Sequence, residues 1–250
     1  MESFISRIGG KRALRERILA EFPAEIGRYI EVFGGAGWVL FARDKHAPME
    51  VFNDIDGELV NLYRCMQHHP NELARQLTYL LNSREQFFDA KAQLEGRGLT
   101  DIQRAARYYI LVKESFGADL RTFSCKARSI PHGLESFPAI SKRLERVVVE
   151  NRDFAALIGT YDRPDALIYC DPPYHGTEWY YSHLFSEEDH QALADVLHRA
   201  KGKVLLSYND DAFVRELYQG WAIIPVERAN NLASKAGQSK PYRELIIKNY

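Results

Sequence analysis

The chain has 250 residues, 46% hydrophobic and 27% charged, the balance of a globular protein long enough for one large domain or a domain carrying an insert. A net charge of -1 argues against wholesale polyanion binding but leaves room for a local basic face, and no run approaches the roughly 18 apolar residues of a membrane span. The start, MESFISRIGG, lacks a signal peptide's apolar stretch, and the widely spaced Cys65, Cys125 and Cys170 form neither a disulfide framework nor a metal pattern, so the expectation is an intracellular protein with reduced, mostly packed thiols and no metal.

In chain order, RYIEVFGGAGWVL, residues 28–40, reads as strand, glycine turn and helix. Tyr29 to Phe33 carry β-branched and aromatic weight, Gly34, Gly35 and Gly37 supply a turn, and Trp38 to Phe41 begin an apolar helix face. A second short strand, Met49 to Phe52, ends at Asn53-Asp54, and Glu58 to Tyr63 look helical. Strands alternating with helices imply an α/β fold with a mostly parallel sheet. From about Leu59 to Lys113 the segments NELARQLTYLL, REQFFDAKAQL and IQRAARYYILVK place apolar residues at helical spacing. An irregular polar stretch follows, residues 117–140. Strand patterns resume at Val147 to Glu150, Ala166 to Cys170 and Lys203 to Ser207, with a helix, EEDHQALADVLHRAK, between the last two. Two more strands are expected at Trp221 to Val226 and Glu244 to Asn249, joined by a long polar loop.

Two places carry chemistry. A glycine turn that opens after a strand lets a ligand approach the backbone closely, and a carboxylate about 20 residues on can hold a ribose hydroxyl. Asp54 lies nineteen positions after Gly35 and ends the second strand. The dinucleotide pattern GxGxxG is absent, and Glu31 closes the first strand with an acid. A carboxylate there repels a pyrophosphate but accepts from an ammonium group, which favours S-adenosylmethionine over a dinucleotide. The second place is Asp171-Pro172-Pro173-Tyr174, at the carboxyl end of a strand, where ligands of open α/β sheets sit. Asp171 offers a carboxylate, and Pro172 keeps its carbonyl while donating nothing. Two acceptors side by side suit an NH₂ group. An exocyclic amine on a base delocalises its lone pair into the ring, and accepting from both hydrogens returns that pair to nitrogen. The prolines fix the geometry in advance, Tyr174 offers a face for stacking, and the base has to be flipped out of a duplex to reach it. From Arg104 to Arg128 six basic residues stand against two acids, a candidate nucleic-acid face or a solvated helix face.

Taken together these motifs resemble the Dam-like D12 class of DNA adenine N6-methyltransferases, in the alpha motif order. Phe33-Gly34-Gly35-Ala36-Gly37 is similar to the family's FxGxG, Asp171 to Tyr174 to its DPPY, and Gly9-Gly10-Lys11 to its GGK element, with a helix expected over 12–22. Asn53-Asp54, Asp153-Phe154 and the terminal Asn249-Tyr250 follow in family order. The resemblance implies a Rossmann-like S-adenosylmethionine-dependent core over 1–58 and 141–250, with a helical DNA-recognition lobe inserted at 59–140. It implies that Lys11, Phe33, Gly35 and Gly37 line the methionine end and the turn, that Asp54 holds the ribose, and that Asp153 and Phe154 embrace the cofactor adenine. Asp171 would contact both cofactor and target amine, and Tyr174 would stack on the flipped adenine. Transfer would be direct, so Cys170 reads as a packed strand residue. Arg7 stands where the family often carries tryptophan, and a guanidinium can also stack on a ring. The family's RYN and FN pattern is replaced by SFGADLR, so a GATC target is not implied. Arg121, Lys126 and Arg128 are the candidate DNA contacts. The reading is a site-specific enzyme on double-stranded DNA, cytoplasmic in a bacterium or phage-infected cell, monomeric or dimeric on DNA. N4-cytosine methylation and a non-catalytic DNA-binding relative are the alternatives.

Overall fold

The β-branched and aromatic runs form strands where the sequence places them. The computed structural model describes residues 1–125, 130–176, 185–228 and 242–250. Its strands are β1 (Arg28–Glu31), β2 (Met49–Asn53), β3 (Val147–Glu150), β4 (Ala166–Cys170), β5 (Lys203–Asn209), β6 (Ala222–Arg228) and β7 (Tyr242–Lys248). They make one seven-stranded sheet in the order β3-β2-β1-β4-β5-β7-β6. This is the 3-2-1-4-5-6 order of a doubly wound sheet with a further strand between β5 and β6. By contacts the chain divides into two compact units, the first comprising 1–10, 34–45 and 52–151 and the second 11–33, 46–51 and 152–250.

In the second unit β4 is central. It runs parallel to both β1 and β5, with Ile30 opposite Ile168 and Cys170 opposite Leu206. Every residue of β4 is buried, as expected of a strand paired on both edges and covered on both faces. β7 is antiparallel to β5 and β6. The apolar core joins Ile30, Ile168, Leu193, Leu206, Val214 and Ile247. α1 (Arg15–Ala20) is shorter than the expected 12–22, since Lys11 to Leu14 form a turn in which the Lys11 carbonyl accepts from the amides of Leu14 and Arg15. α7 (Phe154–Tyr161) starts on Asp153, whose carboxylate accepts from the amides of Ala155 and Ala156. α8 (Glu187–His198) starts on a capping box of Ser186 and Asp189. The short α9 (Ala212–Leu217), capped by Asp211, carries no pattern strong enough to be read from the sequence.

In the first unit the glycine turn does not open a helix. A single 3-10 turn, Leu40–Ala42, follows it, and Arg43 is already extended. The reason is a competing donor. The Arg143 guanidinium takes the carbonyls of Leu40 and Arg43, each at 2.8 Å, which satisfies groups that a continuing helix would otherwise cover. α2 (Gly57–His68), α3 (Pro70–Leu77), α4 (Arg84–Glu95) and α5 (Asp101–Glu114) follow the helical spacing read from the sequence. The stretch expected to be irregular holds two 3-10 turns and the start of α6 (Phe137–Leu144), which brings Phe137 against Phe4 and Tyr109. Between α5 and α6, Gly117, Ala118 and Leu120 all adopt positive φ, at 62°, 61° and 59°, strained for the latter two. Among the described residues no helix is long and apolar enough to cross a membrane. Cys65 and Cys170 are buried, and Cys125, against the expectation of packing, is exposed beside Arg84.

Candidate active site

The second unit carries the Asp-Pro-Pro-Tyr stretch directly beyond β4. Pro172 is buried and the Asp171 side chain keeps 18% exposure. Its Oδ1 accepts from Lys11 Nζ at 2.7 Å and from the Ser207 hydroxyl at 2.9 Å. Both contacts fall on one oxygen, so Oδ2 keeps its acceptor capacity toward the open side. Ser207 is in turn 3.0 Å from the Tyr169 hydroxyl, which fixes it on the β5 edge. Burial pushes the Asp171 carboxyl above its ordinary range; the Lys11 ammonium and the Ser207 hydroxyl pull it back, and the nearby Glu244 carboxylate pushes it further up. Tyr174 is 6% exposed and donates its hydroxyl to Glu244 at 2.8 Å. Its ring lies stacked 6.1 Å from that of Tyr208, and the Lys11 ammonium stands 4.6 Å from its centroid.

Further toward β1, the buried Glu31 accepts from the Tyr29 hydroxyl at 2.7 Å. Phe33, Phe154 and Phe185 form a ring cluster with centroids 5.7 to 6.1 Å apart. Asp153, nominated for adenine, holds the start of α7 with the oxygen that caps it. Burial holds the Cys170 thiol well above its usual range, so no thiolate nucleophile forms there.

The first unit carries the glycine turn. Gly34 is required by space: a Cβ would come within 2.3 Å of the Phe52 ring. Gly35 is required by its backbone, φ 51°, while a Cβ there meets nothing within 4 Å. The turn is therefore open on the Gly35 side. Asp54 braces it, accepting from the Gly35 amide at 2.8 Å through one oxygen and from the Asp56 amide at 2.9 Å through the other. Burial pushes the Asp54 carboxyl up, against the pull of Arg7 and of those two amides. Gly37, with φ 65°, closes the turn onto the Gly34 carbonyl at 2.8 Å. Arg7 pairs with Asp56 at 3.2 Å and donates to the Tyr108 hydroxyl, which itself donates to Asp56 at 2.6 Å.

Of the residues nominated from sequence, Lys11, Asp171, Pro172 and Tyr174 come together, as do Phe33 and Phe154, and Arg7, Gly35 and Asp54 share one braced loop. Arg121 is exposed in the strained loop after α5, its amide bound to Asp119. Lys126 and Arg128 lie outside the described residues. A cavity of about 580 Å3 between α2 and α5, lined by Arg64, His68, His69 and Arg104 among others, contains none of the nominated residues. Sequence reasoning missed Ser207, Glu244 and Phe185. Two of these had a signal: Ser207 is a polar residue near the carboxyl end of an apolar strand, and Glu244 is an acid inside one.

A carboxylate with one oxygen engaged and the other open, a stiff proline carbonyl and a fixed aromatic ring make an acceptor site for a flat amine. Residues 8–232 match the family model for D12 class N6 adenine-specific DNA methyltransferases. The chain is 28% identical to the type II methyltransferase M1.LlaDCHI of Lactococcus lactis subsp. cremoris, covering 100% of this chain and 96% of the relative. It is 26% identical to the retron Ec67 DNA adenine methylase of Escherichia coli, over 98% and 90%, and 27% identical to a DNA adenine methylase of Vibrio cholerae serotype O1, over 95% and 92%. With a match over most of its length, the chain belongs to the D12 class of N6 adenine-specific DNA methyltransferases.

Proposed function

We propose that this methyltransferase takes its methyl group from S-adenosylmethionine and delivers it to N6 of an adenine flipped out of double-stranded DNA, with Asp171, Pro172 and Tyr174 as the catalytic residues. The observation that carries the reading is the uneven loading of Asp171: Lys11 and Ser207 hold Oδ1, and Oδ2 is left to accept from the amine. Pro172 contributes its carbonyl as the second acceptor. Together they draw the nitrogen lone pair out of conjugation; the new N–C bond would form from that pair as the methyl–sulfur bond of the donor breaks with its electrons left on sulfur, and one amine proton would be lost to solvent. Tyr174, pinned by Glu244, holds the base plane by stacking.

The residues present suit the donor. The open side of Gly35 admits a ligand against the backbone, and the acids Glu31 and Asp54 suit a cationic amino-acid tail and a ribose better than a phosphate. Arg7, Lys11, Glu31, Phe33, Gly35, Gly37, Asp54, Asp153, Phe154 and Asp171 are the proposed donor-binding set. Arg7 acts through Asp56 and the braced loop, and Phe33 and Phe154 offer rings to the adenine. When bound, S-adenosylmethionine supplies an electrophilic methyl group on a sulfonium centre. We further assign 59–140 as the DNA-recognition lobe, with Arg121, Lys126 and Arg128 as its contacts to phosphate or base.

The test is product identity. The protein is mixed with labelled S-adenosylmethionine and unmethylated genomic DNA, native or heat-denatured, and the DNA is digested to nucleosides for mass spectrometry. Labelled N6-methyl-2′-deoxyadenosine from native DNA is the expected product. Labelled N4-methyl-2′-deoxycytidine, or label that appears only with denatured DNA, contradicts the proposal.

A further inference from the structure

The residue after the catalytic tyrosine is His175, and nothing in the acceptor chemistry uses it. Yet it is anchored through both ring nitrogens and its backbone. Its Nδ1 lies 3.1 Å from Asp211 Oδ1, and its Nε2 lies 3.4 Å from Glu187 Oε1. Its backbone carbonyl accepts from Asn209 Nδ2 at 3.0 Å. Its ring lies 4.7 Å from that of Phe213 and meets His190 edge-on at 5.7 Å. Those partners come from three elements. Asn209 ends β5, Asp211 caps α9 and also accepts from the Phe213 amide at 2.9 Å, and Glu187 is the first residue of α8.

We propose that His175 is a positioning residue for methyl transfer: it locks the loop that carries Pro172 and Tyr174 to the starts of α8 and α9 and to the end of β5. The inference rests on the reading of Asp171 to Tyr174 as the acceptor site. The physical argument is one of stiffness. Residues 171–175 form no regular secondary structure, so no ladder of backbone bonds fixes the Pro172 carbonyl. Asp171 and Tyr174 are held through their side chains, by Lys11, Ser207 and Glu244. His175 is the point at which the loop is held on its far side, by side chain and backbone together. One ring nitrogen faces each carboxylate, and each carboxylate belongs to a helix start whose position the sheet and core determine. The neighbouring His190 extends the brace: buried in α8, it lies 2.6 Å from the Tyr208 hydroxyl, and Tyr208 is the ring stacked against Tyr174. A misplacement of about 1 Å in such an acceptor costs up to about a hundredfold in rate.

The experiment compares wild type, His175→Ala, Glu187→Ala and Asp171→Ala in single-turnover methylation of unmethylated genomic DNA, with S-adenosylmethionine affinity and thermal melting measured alongside. For His175→Ala the expected result is a rate constant lower by about tenfold or more, with donor affinity unchanged and with the rate restored, saturably, by added imidazole. The His175 side chain is 21% exposed, so imidazole can reach the space it leaves. A packing role would show in melting and would not respond to imidazole in the rate. A wild-type rate in His175→Ala, or a slow rate that imidazole leaves unchanged, overturns the proposal. Glu187 is 71% exposed and can be changed without threat to folding; if His175→Ala does not fold, Glu187→Ala decides, with a reduced rate in support and a wild-type rate against. Asp171→Ala separates the two readings: a wild-type rate there removes the acceptor site itself, whatever His175 does.

Discussion

Two partly buried carboxylate clusters, one in each unit, differ in how their oxygens are loaded. In the first unit Asp54 and Asp56 spend their oxygens on the protein. Asp54 takes the amides of Gly35 and Asp56 on its two oxygens. Asp56 caps α2 with one oxygen and takes Arg7 and Tyr108 on the other. In the second unit Asp171 has Lys11 and Ser207 on Oδ1 alone. The first cluster is therefore a brace and the second an acceptor with capacity in reserve. An acid whose two oxygens both accept from backbone amides fixes a loop and still keeps a lone pair on each oxygen for a ribose hydroxyl, whereas one with an oxygen left open at a strand end is offered to a substrate amine.

Changes that empty or fill those oxygens sharpen the contrast. The largest effect is expected for Asp171→Ala, which removes the open acceptor. Single-turnover methyl transfer falls by about a thousandfold, a loss far larger than those in donor affinity, to which Asp171 is one of several proposed contributors, and in melting, where Lys11 loses its partner. Next comes Arg7→Leu. It leaves Asp56 and Tyr108 buried without their cation, and urea unfolding reports a loss of about 3 kcal/mol. Donor affinity falls with it as the Gly35 turn loosens. If stability is unchanged while donor binding is lost, Arg7 touches the ligand directly and the brace reading fails. The smallest is Ser207→Ala, which removes one hydrogen bond to Oδ1 and is expected to cost about 1 kcal/mol in the same measurement, with a slower but measurable rate.

The parts legible in the sequence were those written locally. Asp171 to Tyr174 announce a strand end with acceptors, Asp54 stands at the spacing a glycine turn needs, and the helical spacing of 59–113 survives intact. What the sequence hid was partners that come from far along the chain. Arg143 ends the expected helix after Gly37 from about a hundred residues away. Glu244 and Ser207 reach Tyr174 and Asp171 from strands that only the sheet order brings alongside. Arg7 read as a guanidinium free to stack on a ligand's ring, because nothing local shows that Asp56 and Tyr108 bind it. Short α9 and α6 hold too few turns to imprint a period on the sequence.

The central claim is that an ionised Asp171 accepts from the target amine, and the pH dependence of single-turnover transfer tests it most directly. Burial raises the Asp171 carboxyl above the ordinary range, so the carboxylate is lost to protonation at higher pH than for a free aspartate, about 3.9. The sign for stability runs the other way. A raised carboxyl binds its proton more tightly in the folded chain, so its contribution favours folding below the ordinary range and is lost as pH rises through the raised value; a fall in rate on acidification cannot come from this group unfolding the protein. The account predicts an acid limb above the ordinary aspartate range, carried to still higher pH in Ser207→Ala, where a hydroxyl that favours the carboxylate is gone. A rate that stays flat down to the ordinary range, or a limb that Ser207→Ala leaves in place, contradicts it.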